Sequence, residues 1–202
     1  MENHKINTIV YGKRIETSVE MMSDGMFELF DDFCDLVLSR LYNQTKNLES
    51  GFNFEALKQN EIARFKVLWL VSLAELMFYS MQKQPKLGHL KKEFYGKLAD
   101  ECESISLKRF VAKSAEIVPQ IIRDDRDFTD NEIFNMPSSN RDDNDPRNKG
   151  LGPRLARIIL ENTFAKNSLL QPVYEDFCKT IELELNNAYG HCSIACSKFN
   201  II

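Results

Sequence analysis

The run Val67 to Phe78 restricts the fold of this chain more than any other stretch. It reads Val-Leu-Trp-Leu-Val-Ser-Leu-Ala-Glu-Leu-Met-Phe, apolar on nearly every side and broken only by Ser72 and Glu75. It lies inside a longer segment, Phe54 to Met81, that contains no glycine and no proline. The first half of that segment is amphipathic, with Leu57, Ile62 and Phe65 among Lys58, Gln59, Glu61 and Arg64. A strand is the rival, but the uninterrupted length favours a helix. A helix that is apolar all round has to be covered all round, so Phe54–Met81 reads as the central helix of an all-α domain. The apolar part is too short for a membrane span, which needs about 20 such residues. Glu75 is the exception within it. A carboxylate in such surroundings needs a partner, structural or functional.

The 202 residues suffice for one domain with a real core. The expectation is a single helical domain over 1–202, a bundle of five or six helices. Residues 1–23 form an N-terminal arm and 123–152 a mobile polar insertion. The net charge of −4 gives no general support for nucleic-acid binding, which usually shows a basic face. The cysteines are Cys34, Cys102, Cys178, Cys192 and Cys196, an odd set, and the first residues, Met-Glu-Asn-His-Lys, lack an apolar stretch, so no secretory leader is expected. Free buried thiols, a cytoplasmic location and no membrane association are therefore expected.

In the arm, Thr8 to Tyr11 suggests a short strand or extended piece with nothing obvious to pair with. From Gly25 to Asn43, Met26, Phe27, Phe30, Phe33, Val37 and Leu41 recur at helical spacing, with Ser23-Asp24 as cap candidates. Glu28, Asp31, Asp32 and Asp35 form an acidic row that reads as a solvated face, because no His joins it at ligand spacing. A proline at 85 stops the central helix. Leu87 to Cys102 is a further helix carrying Lys91, Lys92, Lys97 and a lone His89, with Lys86 immediately before it. It is the most basic stretch of the chain and offers phosphate contacts or a solvated face. Ser104 to Ile122 is another helix, with Pro119 a candidate kink.

Arg123 to Gly152 is rich in Asp and Arg and broken by proline and glycine. Its acids do not follow the calcium-loop pattern. Pro153 to Phe164 is helical, with Arg154 and Arg157 three apart. Gln171 to Tyr189 is the last long helix, and Gly190 is expected to end or bend it. There is no glycine-rich phosphate loop, no Cys-x-x-Cys and no Gly-x-Ser-x-Gly.

One local constellation carries chemistry: Leu183-Glu184-Leu185-Asn186-Asn187-Ala188-Tyr189-Gly190-His191-Cys192. Amides on a helix followed by an imidazole can hold a phosphate and move a proton near neutral pH. A helix-terminal imidazole that satisfies backbone carbonyls is the plain structural alternative. A metal set of His191, Cys192 and Cys196 would lack a visible fourth ligand.

These residues resemble the signature of the HEPN superfamily, all-helical domains of prokaryotic toxin–antitoxin and antiphage systems and of RNA-processing enzymes. The family motif is Arg, usually then a polar residue such as Asn, and His four to six positions on. Asn187 and His191 match the polar residue and the His, while Asn186 stands where the Arg would be. The layout is also similar: a buried central helix with a Glu, here Glu75, a variable middle, and the motif near the C-terminus. The resemblance implies a metal-independent endoribonuclease working as a homodimer, or a degenerate relative that binds RNA or a protein partner. No cofactor is implied. His191 would be the acid/base, with Asn186 and Asn187 contacting phosphate or substrate. Glu75 is a further candidate contact, and Arg154 or Arg157 would supply the missing charge. The other reading is a non-enzymatic module for protein–protein interaction.

Overall fold

Every residue from Val67 to Phe78 is buried, as an all-apolar helix demands. The computed structural model describes residues 15–46, 59–124, 151–164, 173–196 and 198–202. Among these, six helices and two three-residue strands occur. In chain order they are β1 (Ile15–Thr17), α1 (Val19–Lys46), α2 (Gln59–Ser80), α3 (Leu87–Asp100), α4 (Ile105–Asp124), α5 (Leu151–Thr163), α6 (Tyr174–Cys196) and β2 (Phe199–Ile201). The protein is an all-α bundle, and α2 packs against every other helix in it.

The core around α2 is aromatic. Phe94 of α3 lies 5.8 Å from Phe30, 6.0 Å from Phe78 and 6.1 Å from Phe27, ring centre to ring centre. On the other side of α2, Phe65 stacks on Phe164 at 5.6 Å and on Trp69 at 6.4 Å. Tilted and offset pairs at these separations add about 0.5–1.5 kcal/mol each beyond burial. The Trp69 indole N–H donates to the Phe30 carbonyl at 3.1 Å, which ties α2 to the middle of α1.

Glu75 has the partners its burial demands. It accepts from the Lys91 ammonium at 2.9 and 3.2 Å and from the Tyr95 hydroxyl at 2.7 Å. Burial and the adjacent carboxylate push the Tyr95 phenol far up, so it remains a donor. Lys91 also sits over the Phe78 ring at 5.0 Å. Lys97 pairs with Asp24 of α1. Two lysines of the basic stretch are thus held in ion pairs within the bundle, while Lys86, Lys92 and His89 are exposed. In the acidic row of α1, Glu28, Asp32 and Asp35 are exposed and Asp31 pairs with Lys66. Among the described residues no cluster of His, Cys, Asp or Glu is arranged to hold a metal ion.

Several boundaries differ from the sequence reading. The strand is Ile15–Thr17, and it has a partner: it pairs in parallel with Phe199–Ile201, Ile15 opposite Phe199. Such a pairing joins opposite ends of the chain, so local pattern could not reveal it. Thr8–Tyr11 lies outside the described residues. Helix α1 begins at Val19, not Gly25, so residues 19–23 of the expected arm are helical. Its cap is Ser18, whose hydroxyl accepts from the Met21 N–H at 3.1 Å; Ser23 is buried inside the helix. Helix α4 runs through Pro119. Helix α6 does not end at Gly190 but continues to Cys196. The Asp/Arg-rich segment from 125 to 150 lies outside the described residues. No helix among the described residues is long and apolar enough to cross a membrane.

All five cysteines are free and buried. Burial pushes the Cys178 thiol up to about 11 and the Cys196 thiol to about 12, and the Cys34 and Cys192 thiols higher still. A thiol is a nucleophile only as thiolate. The native protein is therefore expected to resist a water-soluble disulfide reagent at pH 8 and to titrate five thiols in guanidinium. Rapid labelling of the native fold would contradict this packing.

Candidate functional site

Helices α1 and α6 run side by side, and three side-chain contacts mark their register. The Gln44 amide donates to the Thr180 hydroxyl, Arg40 Nη1 donates to Glu184 Oε1, and the Phe33 ring lies against the His191 imidazole. In each pair the residue numbers sum to 224, the signature of an antiparallel register held over three turns. At 3.6 residues per turn, Thr180, Leu183, Glu184, Asn187, His191 and Ile194 fall within an arc of about 100° on α6. That arc faces the Phe33–Arg40–Gln44 side of α1.

His191 is exposed, and its ring is nearly parallel to Phe33 at 6.0 Å and 22°. It sits inside α6, a turn before the helix end. Intrahelical bonding already engages the carbonyls around it, which removes the helix-terminal role expected for the imidazole. Its neighbour Cys192 is buried, as is Cys196, so neither thiol shares the face that presents His191. The suggested metal set is therefore not assembled.

Asn187 is exposed one turn before His191 and hydrogen-bonds the Glu184 carboxylate. Asn186 is half-buried and engaged with its own neighbours. Glu184 is almost completely buried, 2% exposed, while Arg40 is 48% exposed. Burial pushes the Glu184 carboxyl above its ordinary range, and Arg40 and the Asn187 hydrogen bond oppose that rise. The pair is therefore a dipole with its positive end at the surface. The row from Arg40 through Asn187 to His191 spans about 10 Å along α6, from residue 184 to 191.

The other candidates lie elsewhere. Arg157 faces Glu175 at 3.8 Å, at the start of α6. Glu175 precedes His191 by 16 residues, about 24 Å along the axis. Arg157 is therefore not brought to His191 within one chain. Arg154 is exposed on the same helix, α5, and has its own contacts. Glu75 is held inside the bundle by Lys91 and Tyr95, apart from this row.

The residues that sequence reasoning passed over are Arg40, Glu184 and Phe33. Phe33 reads in sequence as one more apolar position on the face of α1. Arg40 adjoins the apolar positions Val37 and Leu41 on α1, and only the register between helices reveals what it meets. Glu184 was visible within the motif, but its burial was not.

No family model, no curated protein and no solved structure matches this chain.

Proposed function

We propose that this chain is an HEPN-like protein of a bacterial defence or toxin–antitoxin type system and that it cleaves RNA without a metal. The observation that carries this reading is His191 itself: an exposed imidazole, steadied by Phe33 and preceded one turn earlier by the exposed amide of Asn187. His191 takes the proton from a ribose 2′-hydroxyl, and the oxygen attacks the adjacent phosphorus. The bond to the 5′-oxygen breaks, and that oxygen leaves as an alcohol after receiving a proton from an imidazolium or water. The products are a 2′,3′-cyclic phosphate and a 5′-hydroxyl. A second copy, as the resemblance implies, would bring a second imidazole to the same cleft.

The test is incubation of the purified protein with total and transfer RNA in EDTA, followed by analysis of the fragment ends. Fragments with 5′-hydroxyl ends are expected. Intact RNA at every protein concentration would sink the nuclease reading.

A second reading has its own support. Leu36, Leu183 and Ile194 are 42%, 38% and 58% exposed on the same two helices. Apolar side chains beside a polar row suit a protein–protein contact. A non-enzymatic interaction module would show this face covered by a partner and no cleavage by the wild type.

A further inference from the structure

Resting on the reading of His191 as the centre of an RNA site, we infer that Arg40 is the phosphate-binding cation of that site and that Glu184 is the residue that positions it. The motif stretch of α6 contains no arginine, so the charge has to come from another element. The antiparallel register of α1 and α6 brings one there. Arg40 meets Glu184 two turns before the level at which Phe33 meets His191. Asn187 lies between them on the same arc of α6.

The chemistry of the pair fits this role. A guanidinium carries five N–H donors in a rigid fork. Glu184 is contacted through Nη1, and the half-exposed side chain leaves further donors able to meet an anion. The carboxylate is buried, and the Asn187 amide, three residues on along α6, also favours its charged form. The arginine is thus anchored from inside and presented outward. An RNA backbone lying along this row would present a phosphate to the Arg40 fork and, about 10 Å further along α6, a ribose to the His191 imidazole. Arg157 is held at Glu175, about 24 Å from His191 along α6, and does not reach this anion. An uncharged amide at position 186 is then no obstacle, because the cation is supplied across the helix pair. The ligand class is single-stranded RNA read through its backbone, which is a matter of charge more than of base identity.

The probe is a fluorescent single-stranded 2′-O-methyl RNA, which binds but lacks the free 2′-hydroxyl needed for cleavage. Its affinity is measured against salt for four forms of the full chain: wild type, Arg40→Gln, Glu184→Gln and the double variant R40Q/E184Q. The double variant keeps an uncharged hydrogen-bonded pair at the buried position and so guards against misfolding. Arg40→Gln and the double variant are expected to weaken binding about tenfold at low salt and to reduce the salt slope by about one. Glu184→Gln keeps an oxygen that still accepts from Arg40 and so holds it in place, but removes the compensating charge, and is expected to strengthen binding. A residue with only a structural role would not give opposite signs. If the wild type binds and cleaves RNA while the Arg40 variants do so equally well, the inference falls and the His191 reading stands. If the wild type neither binds the probe nor cleaves RNA, both fall together.

Discussion

Trp69→Ala is expected to lower the unfolding free energy by about 4 kcal/mol, within the range of about 3–5 kcal/mol found for truncating a buried Trp or Phe to Ala. Trp69 is completely buried in the middle of α2, the helix that every other helix touches. Its ring extends the Phe65–Phe164 stack, and its indole N–H reaches the Phe30 carbonyl on α1. Truncation opens a cavity at the point where α1 and α2 are joined, and close-packed surroundings collapse into such space only in part. Domains of this kind are stable by only about 5–15 kcal/mol, so one change removes a large share. Trp69→Phe keeps most of the ring and loses the hydrogen bond, with an expected cost of about 1–2 kcal/mol. Urea titrations followed by circular dichroism give both values. Equal costs for the two variants would mean that the hydrogen bond, not the ring, holds the helices together.

The second large effect concerns the buried carboxylate. Lys91→Met is expected to cost about 2 kcal/mol, because it leaves Glu75 with the Tyr95 hydroxyl but no compensating cation. Breaking a fully buried pair typically costs about 3–5 kcal/mol. The lower figure applies because the Lys91 side chain is 37% exposed and solvent screens part of the attraction. Replacing both partners, Lys91→Met with Glu75→Leu, should restore most of the stability, since no charge is then left buried. A double variant as unstable as the single one would show that the site depends on packing or on the Tyr95 bond instead.

These two sites also mark what could be read in advance. Helix α2 was legible because its run of apolar residues has no other satisfactory state than burial among helices. The faces of α1, α3, α5 and α6 were legible from steps of three and four. The need of Glu75 for a partner followed from burial alone, but its identity did not, because Lys91 and Tyr95 lie on another helix. Where pairing is non-local, local pattern fails. Ile15–Thr17 finds its strand partner near the other end of the chain, and Arg40 finds Glu184 across 144 residues. Of the two outcomes expected at Gly190, an end or a bend, the end does not occur. Glycine costs about 1 kcal/mol relative to alanine inside a helix, and the buried face formed by Ala188, Tyr189, Cys192 and Cys196 continues through it. That continuation changes the candidate site most, since it turns His191 from a helix end into a side chain displayed on a helix face.

The most direct test of the account is a comparison of wild type and His191→Ala in EDTA on the same RNA, with thermal melts run alongside. His191 is exposed, so the variant should melt within a few degrees of wild type, as surface substitutions usually do. Its cleavage should fall at least about a hundredfold, the lower bound for removing a general acid or base. Cleavage by the variant at the wild-type rate, in a protein that melts normally, would contradict the assignment of the site.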